Sequence, residues 1–396
     1  MANTTFTSET ILILGNGFDI AMGRKTKYTD FIEFEIQLYS NPDKELQDFL
    51  KSKGIDVDKY KDNLYLKFIN KNKGRLGENW SNLEKMISNI ADAIMYFKEN
   101  NDLIFKVATT GQIWLLEEKL LQEKNYRSKL YIANMFASLF HEKSWSSLER
   151  EVALEKLNNE FINHLNLLIE LLEIYLSYID YLDFEVKGIE HKPTALDAIP
   201  NLQNSSVLNF NYTNTSGNLF GTSEERTHFI HGRIDLDRTF SRINTMVFGI
   251  EDKENDVNID LIPYQKYYQR VVKETGNKFE EFFIKRNYTE KNTSVLGHTV
   301  PIRVPVSKNI VIFGHSVEPL DKEIFQKCFE LASLGEYPYR FIFTYYNDSA
   351  KRSIVKNLAI ILGKDKLVEL TGQRKVVFVK SDDKDGMEDA LLKYSS

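Results

Sequence analysis

Near the start of the chain, residues 10–14 (TILIL) form a short apolar, β-branched run that stops abruptly at Gly15-Asn16-Gly17. A run this short, closed by glycines, predicts a buried strand followed by a tight turn. From 28 to 39 the apolar positions then recur at helical spacing. A strand, a glycine turn and a helix in that order constrain the rest of the chain. Such a strand needs parallel neighbours, and these have to come from further along.

They are found in the second half. Residues 206–210, 227–230, 245–249, 309–314, 340–345 and 376–379 are short, apolar and β-rich. Helical stretches lie between them at 264–285, 320–333 and 350–362. Strands alternating with helices predict an α/β fold with a mostly parallel sheet covered on both faces. The middle of the chain differs: from about 43 to 182 it has few glycines and almost no proline. Apolar residues there recur three and four apart, as in the stripe Phe161, Leu165, Leu168, Leu172 and Tyr175. The expected organisation is therefore a Rossmann-like nucleotide-binding domain from 1–42 and 196–396, with 43–195 as a helical insertion after the first strand. Two similar segments within the insertion, WSNLE at 80–84 and WSSLE at 145–149, read as helix starts with a buried tryptophan. The alternative is that Glu84 or Glu149 faces the site.

Composition narrows the function classes. Of 396 residues, 42% are hydrophobic and 27% charged, which fits a globular protein and not a disordered one. The single cysteine, Cys328, rules out an intrachain disulfide framework or a Cys-rich zinc site. The formal net charge is −6, with Lys and Arg spread among acids, which argues against a nonspecific nucleic-acid binder. The opening residues lack a basic region and apolar stretch of secretory type, and no window approaches the ~18–20 apolar residues of a membrane span. The expectation is a cytoplasmic protein with no membrane association.

Four constellations could carry chemistry. Gly15-Asn16-Gly17-Phe18-Asp19 follows the first strand, where glycines allow backbone N–H groups to approach a pyrophosphate. It is G-x-G only, so a plain strand-to-helix turn is an equal reading. On the phosphate reading, Gly17→Val would leave the fold largely intact and block the ligand. Asn209-Phe210-Asn211-Tyr212-Thr213 ends another strand, where an asparagine could hold a ribose hydroxyl or a water, or simply form an Asx turn. In His228-Phe229-Ile230-His231-Gly232, alternation puts His228 and Ile230 on one side and Phe229 and His231 on the other. His231, at a strand end, could act as a general base near neutral pH, although most lone histidines are merely hydrogen-bonded. The fourth is Gly314-His315-Ser316 after a strand, with Asp321 further on. Two strand–glycine turns in one sheet, with Asn211 and His231 between them in sequence, weigh more than any one piece.

Together these segments resemble the bacteriophage abortive-infection AbiH-type family: ILILGNGFDIAMGRKTKYTDF (11–31), WSSLE (145–149), VLNFNYT (207–213), FIHG (229–232), MVFGIED (246–252) and NIVIFGHSVEPLDKEIF (309–325). More distantly the arrangement is similar to Sir2-like NAD-binding proteins. That similarity implies a Sir2-like version of the fold with NAD as substrate or ligand and no metal at the site. Gly15 and Gly17 would meet the phosphates, and GNG in place of the sirtuin GAG would set the Asn16 side chain over them. Asn211 would contact the nicotinamide ribose and position water, and His231 would provide the base. Gly314 and Ser316 would meet the adenosine ribose, His315 between them would be a further cofactor-binding residue, and Asp19 would meet a ribose hydroxyl or the nicotinamide pocket. The four cysteines of the sirtuin zinc ribbon are missing, which favours hydrolysis of NAD over deacylation. The aspartate that often follows the asparagine–aromatic pair is Thr213 here.

The resulting expectation is an antiphage NAD hydrolase, with a phage-derived trigger or partner protein and a homo-oligomer as further expectations. The alternative is a nucleotide-binding sensor that does not cleave its ligand, with the helical insertion serving as partner surface.

Overall fold

The computed structural model describes residues 7–72, 80–111, 114–139, 147–250, 258–284, 288–295 and 298–392. Trp145 and Ser146 of the WSSLE segment, and Glu251 and Asp252 of MVFGIED, lie outside these. The chain divides into two compact units, one of 1–26, 179–234 and 275–396, the other of 27–178 and 235–274. The helix Tyr28–Ser40 and the stretch 235–274 thus group with the helical middle, and 179–195 with the sheet.

The first unit is an α/β sheet. Its strands are β1 (Thr7–Leu14), β2 (Ser206–Asn209), β3 (Thr227–Phe229), β4 (Tyr288–Val295), β5 (His298–Phe313), β6 (Tyr339–Tyr345) and β7 (Val376–Lys380). Six of them run in the order β3-β2-β1-β5-β6-β7, every neighbouring pair parallel. With β4 set aside this is the 3-2-1-4-5-6 order of dinucleotide-binding folds, and the order reverses between β1 and β5. β4 pairs only with the first half of β5, antiparallel. The fold is Rossmann-like, as the alternation of strands and helices predicts.

Alternation along the strands produces two cores. Ile11, Ile13, Leu208, Ile310, Ile312, Phe341 and Phe343 face the helices Lys322–Leu334, Asp348–Leu362 and Lys364–Gly372 through Phe325, Phe329, Leu358 and Leu367. Leu12, Leu14, Val207, Val311, Phe313 and Ile342 face the other side, covered by Phe18, Met22, Leu196 and Met387. With both faces covered, the strands can be continuously apolar. The four strand ends that carry the motifs, at Leu14, Asn209, Phe229 and Phe313, all point the same way because every pair is parallel.

The second unit is mainly helical. Its longest helix begins at Ser147 and runs to Asp180, and the predicted stripe of Phe161, Leu165, Leu168, Leu172 and Tyr175 is buried along it. Glu84 is buried and paired with Lys266 at 2.9 Å, while Glu149 is exposed at the start of the long helix. Two expectations need correcting. Residues 245–249 form no strand: the Gln269 side chain takes the strand partner's place, accepting from the Phe248 N–H and donating to its carbonyl, both at 3.0 Å. The helix expected over 264–285 is broken into Lys266–Val272 and a 3-10 segment Lys278–Phe283, with Gly276 left-handed between them (φ +70°).

Candidate active site

The turns after β1 and β5 touch through their backbones. The Gly17 N–H donates to the Gly314 carbonyl at 2.8 Å, and the Gly15 N–H to the Phe313 carbonyl at 3.0 Å. A Cβ on Gly17 would lie 2.7 Å from Gly314 Cα, and one on Gly15 2.7 Å from Gly314 O. Gly314 is left-handed (φ +70°), and its Cβ would fall 2.1 Å from the Phe18 nitrogen. The glycines are therefore demanded by turn-on-turn packing, and the Gly15 and Gly17 N–H groups are spent on protein carbonyls instead of being offered to a phosphate. Asn16 is likewise engaged: it donates to the Thr26 carbonyl at 3.0 Å and accepts from the Thr26 hydroxyl at 2.7 Å. This changes the expectation for Gly17→Val, since any side chain there collides with the neighbouring turn.

After β2 the chain makes the Asx-type turn, built by Asn209. Its Oδ1 accepts from the Asn211 N–H (2.9 Å), and its Nδ2 donates to the Thr213 carbonyl (2.9 Å). Asn211 is thereby aimed back at β1, where its Nδ2 donates to Gly15 O at 3.1 Å and to Asp19 Oδ1 at 3.2 Å. Asp19, expected beside the ligand, is only 1% exposed. Its Oδ2 accepts from the Thr213 hydroxyl at 2.5 Å and faces Arg24 at 3.5 Å. Thr213, standing where an aspartate is often found, donates to one.

Arg24 anchors this layer, its side chain fully buried. It donates to Asp183 at 3.0 Å, to Thr215 at 2.5 Å and to Asp180, and lies 4.9 Å from the Phe184 ring centre. A π-helical segment, Tyr181–Lys187, begins where the long helix stops and supplies Asp183 and Phe184. Burial pushes the Asp19 carboxyl above its ordinary value against the lowering effect of Arg24, Thr213, Thr215 and Asn211. Burial likewise raises Asp180 to about 6, partly offset by Arg24.

The second group lies after β3 and β5. His231, buried, places Nε2 3.1 Å from Asp321 Oδ1, and His315 places Nε2 3.6 Å from Asp321 Oδ2. The His315 Nδ1 accepts the Val317 N–H at 2.9 Å, so in the neutral ring Nε2 carries the proton and faces the carboxylate. One aspartate therefore lies within hydrogen-bond distance of His231 and close to His315. Phe210 packs edge-on against both, with ring centres 5.5 Å from His231 and 4.3 Å from His315. Val317 is itself left-handed (φ +55°) although β-branched, a strained conformation costing about 1–3 kcal/mol of the sort that collects at functional sites. Ser316 is exposed, with its hydroxyl 3.3 Å from Glu318. His228 stacks on Phe279 in the core, with ring centres 5.8 Å apart; β3 ends at Phe229, so strand alternation does not carry on to His231.

The structure thus brings Gly15, Gly17, Asp19, Asn211, His231, Gly314 and His315 to one edge of the sheet. Sequence reasoning missed Arg24, Asp180, Asp183 and Thr215, and left Asp321 without a role. Among the described residues no group of three or more His, Cys, Asp or Glu is placed to hold a metal, and no helix is long and apolar enough to cross a membrane.

The contact between the two turns is testable by substitution. Gly17→Ala and Gly314→Ala should each destabilise the sheet unit by at least about 1 kcal/mol, with Gly314→Ala the worse because overpacking and φ strain add. Urea unfolding followed by circular dichroism measures this, and unchanged midpoints would mean that the turns do not depend on their contact. The raised Asp180 carboxyl means that the folded state binds more protons than the unfolded chain between about pH 4 and 6, so the Asp180 contribution is present at low pH and lost as pH rises through 6. Asp180→Asn, which fixes a neutral side chain, should therefore gain melting temperature relative to wild type between pH 5 and 7.5. A constant or falling difference contradicts the assignment.

A family model, Bacteriophage abortive infection AbiH, matches residues 11–343, a range that includes every member of this site. No curated protein and no solved structure matches the chain. The chain belongs to the bacteriophage abortive infection AbiH family.

Proposed function

We propose that this protein acts in abortive infection as an NAD glycohydrolase, with Asn211 and His231 as its catalytic residues. The AbiH membership supports the defence role. The observation that carries the enzymatic reading is the His231–Asp321 pair at 3.1 Å, which joins the chain after β3 to the chain after β5 at the C-terminal ends of the strands, on either side of the point where the strand order reverses. Open α/β sheets bind ligands at that crevice, and a histidine oriented by a carboxylate is a general base.

The chemistry asks little of the protein. The nicotinamide–ribose C1′–N bond breaks with its electron pair going to the ring nitrogen, which is cationic in NAD and leaves neutral without an acid. The centre left behind is oxocarbenium-like, as in glycoside cleavage. Water adds to C1′ and gives its proton to His231. His231 Nε2 lies 3.1 Å from Asp321, so the Asp321 carboxylate offsets the charge that forms on the ring. The products are nicotinamide, ADP-ribose and one proton. Asn211 holds the ribose hydroxyl or the water by accepting a hydrogen bond. Gly15 and Gly17 set the floor of the site through their contact with Gly314, and His315 shares the carboxylate that orients the base.

Purified protein incubated with NAD, and infected cells assayed for NAD beside plaque counts, test the reading together. Asn211→Ala and His231→Ala should each lower nicotinamide release by about 10²-fold or more and abolish protection at unchanged protein level. His228→Ala, at a ring that stacks on Phe279 in the core, should cost stability and spare turnover. Cellular NAD that stays constant through a protective response in wild type would instead support a sensor that binds a nucleotide without cleaving it.

A further inference from the structure

The Asn211 side chain is held in one orientation by neighbours of one chemical kind. A carbonyl (Gly15 O, 3.1 Å) and a carboxylate (Asp19 Oδ1, 3.2 Å) both only accept, so only the NH2 end of the amide can face them. Asp19 is pinned in turn by donors: the Thr213 hydroxyl at 2.5 Å and the Arg24 guanidinium at 3.5 Å. Arg24 is fixed by Asp183, Asp180 and Thr215. Each partner in this chain faces a group of opposite hydrogen-bonding character.

We propose that Arg24, Asp19 and Thr213 form a positioning relay that locks Asn211 with its Oδ1 turned to the ligand, so that the ligand group it meets must be a hydrogen-bond donor. A ribose hydroxyl or a bound water meets that demand. A phosphate oxygen, a carboxylate or a nicotinamide carbonyl does not. Asn211 is 8% exposed, and among the described residues no protein donor reaches its Oδ1. Asp19 is thus a positioning residue that acts through Asn211 and does not touch the ligand. The catalytic consequence of the relay rests on the NAD-cleaving reading; its existence rests on the geometry alone.

The test has two arms. In the first, nicotinamide release is measured for wild type, Asp19→Asn, Asn211→Ala and the double variant. The amide introduced by Asp19→Asn would turn its oxygen to Arg24 and Thr213 and its NH2 to Asn211, which removes the lock. Turnover should fall by about tenfold or more with KM changed by less than about threefold, and Asp19→Asn should cost less than about twofold further once Asn211 is replaced by alanine. Additive losses would mean that Asp19 is merely structural and would overturn the relay. The second arm needs no activity. With ¹⁵N-asparagine labelling, the Asn211 side-chain amide signal is assigned by its disappearance in Asn211→Ala. In wild type its protons should exchange slowly with solvent, and in Asp19→Asn the signal should shift and lose that protection. Thr213→Val, which removes one donor from Asp19 and leaves the ion pair, should show a smaller change of the same sign and serves if Asp19→Asn does not fold. An Asn211 amide unaffected by either substitution overturns the relay. Wild-type protein that releases no nicotinamide overturns the function instead, and the amide signal still decides the relay.

Discussion

The hydrogen bond from the Gly17 N–H to the Gly314 carbonyl, 2.8 Å long, is the contact on which the site depends. It brings the turns after β1 and β5 within backbone distance at the point where the strand order reverses. No side chain fits between them, so both turns need glycine, and Gly314 needs the left-handed conformation as well. From this contact the rest is placed. Gly15 presents its carbonyl to Asn211, Asp19 follows one helical turn later, and the chain leaving Gly314 carries His315 and then Asp321 to His231.

Two buried electrostatic arrangements then fix the proposed catalytic pair from behind. Arg24 among Asp19, Asp180 and Asp183 supports Asn211, and Asp321 supports His231 and His315. Neither is an efficient source of stability, because taking charges out of water costs several kcal/mol per ion and attraction returns only part of it. What such networks supply is orientation. A guanidinium with partners on every nitrogen and a carboxylate within hydrogen-bond distance of an imidazole each leave their neighbours little freedom to rotate. The strained turn at Val317, whose N–H holds the His315 ring, belongs to the same design.

The sheet and the positions of its motifs could be read from the sequence because they are local. Apolar, β-branched runs ending in Gly15, Asn209, His231 and Gly314 announce their strand ends within a few residues. Much of the site is not local. Arg24 meets Asp180 and Asp183 across more than 150 positions, and Asp19 meets Thr213 across 194. Nothing in the spacing of these residues announces the pairing, though an aspartate within the first helix of a Rossmann-like fold and an arginine just beyond its end are a signal for it. Residues 245–249 have the composition of a strand, yet the Gln269 side chain satisfies the Phe248 backbone that a neighbouring strand would otherwise bind. Glycines in a G-x-G turn read equally well as a phosphate cradle or as a plain strand-to-helix turn, and the close approach of Gly314 is not visible in their spacing.

On this account a nucleotide occupies the edge formed by the ends of β1, β2, β3 and β5, with its ribose against Asn211 and His231. A crystal structure of the His231→Ala protein soaked with NAD tests that placement most directly. The nicotinamide ribose should lie there, with a hydroxyl or a bound water donating to Asn211 Oδ1 at about 2.7–3.0 Å. NAD bound elsewhere, or with a phosphate oxygen against Asn211, would contradict it.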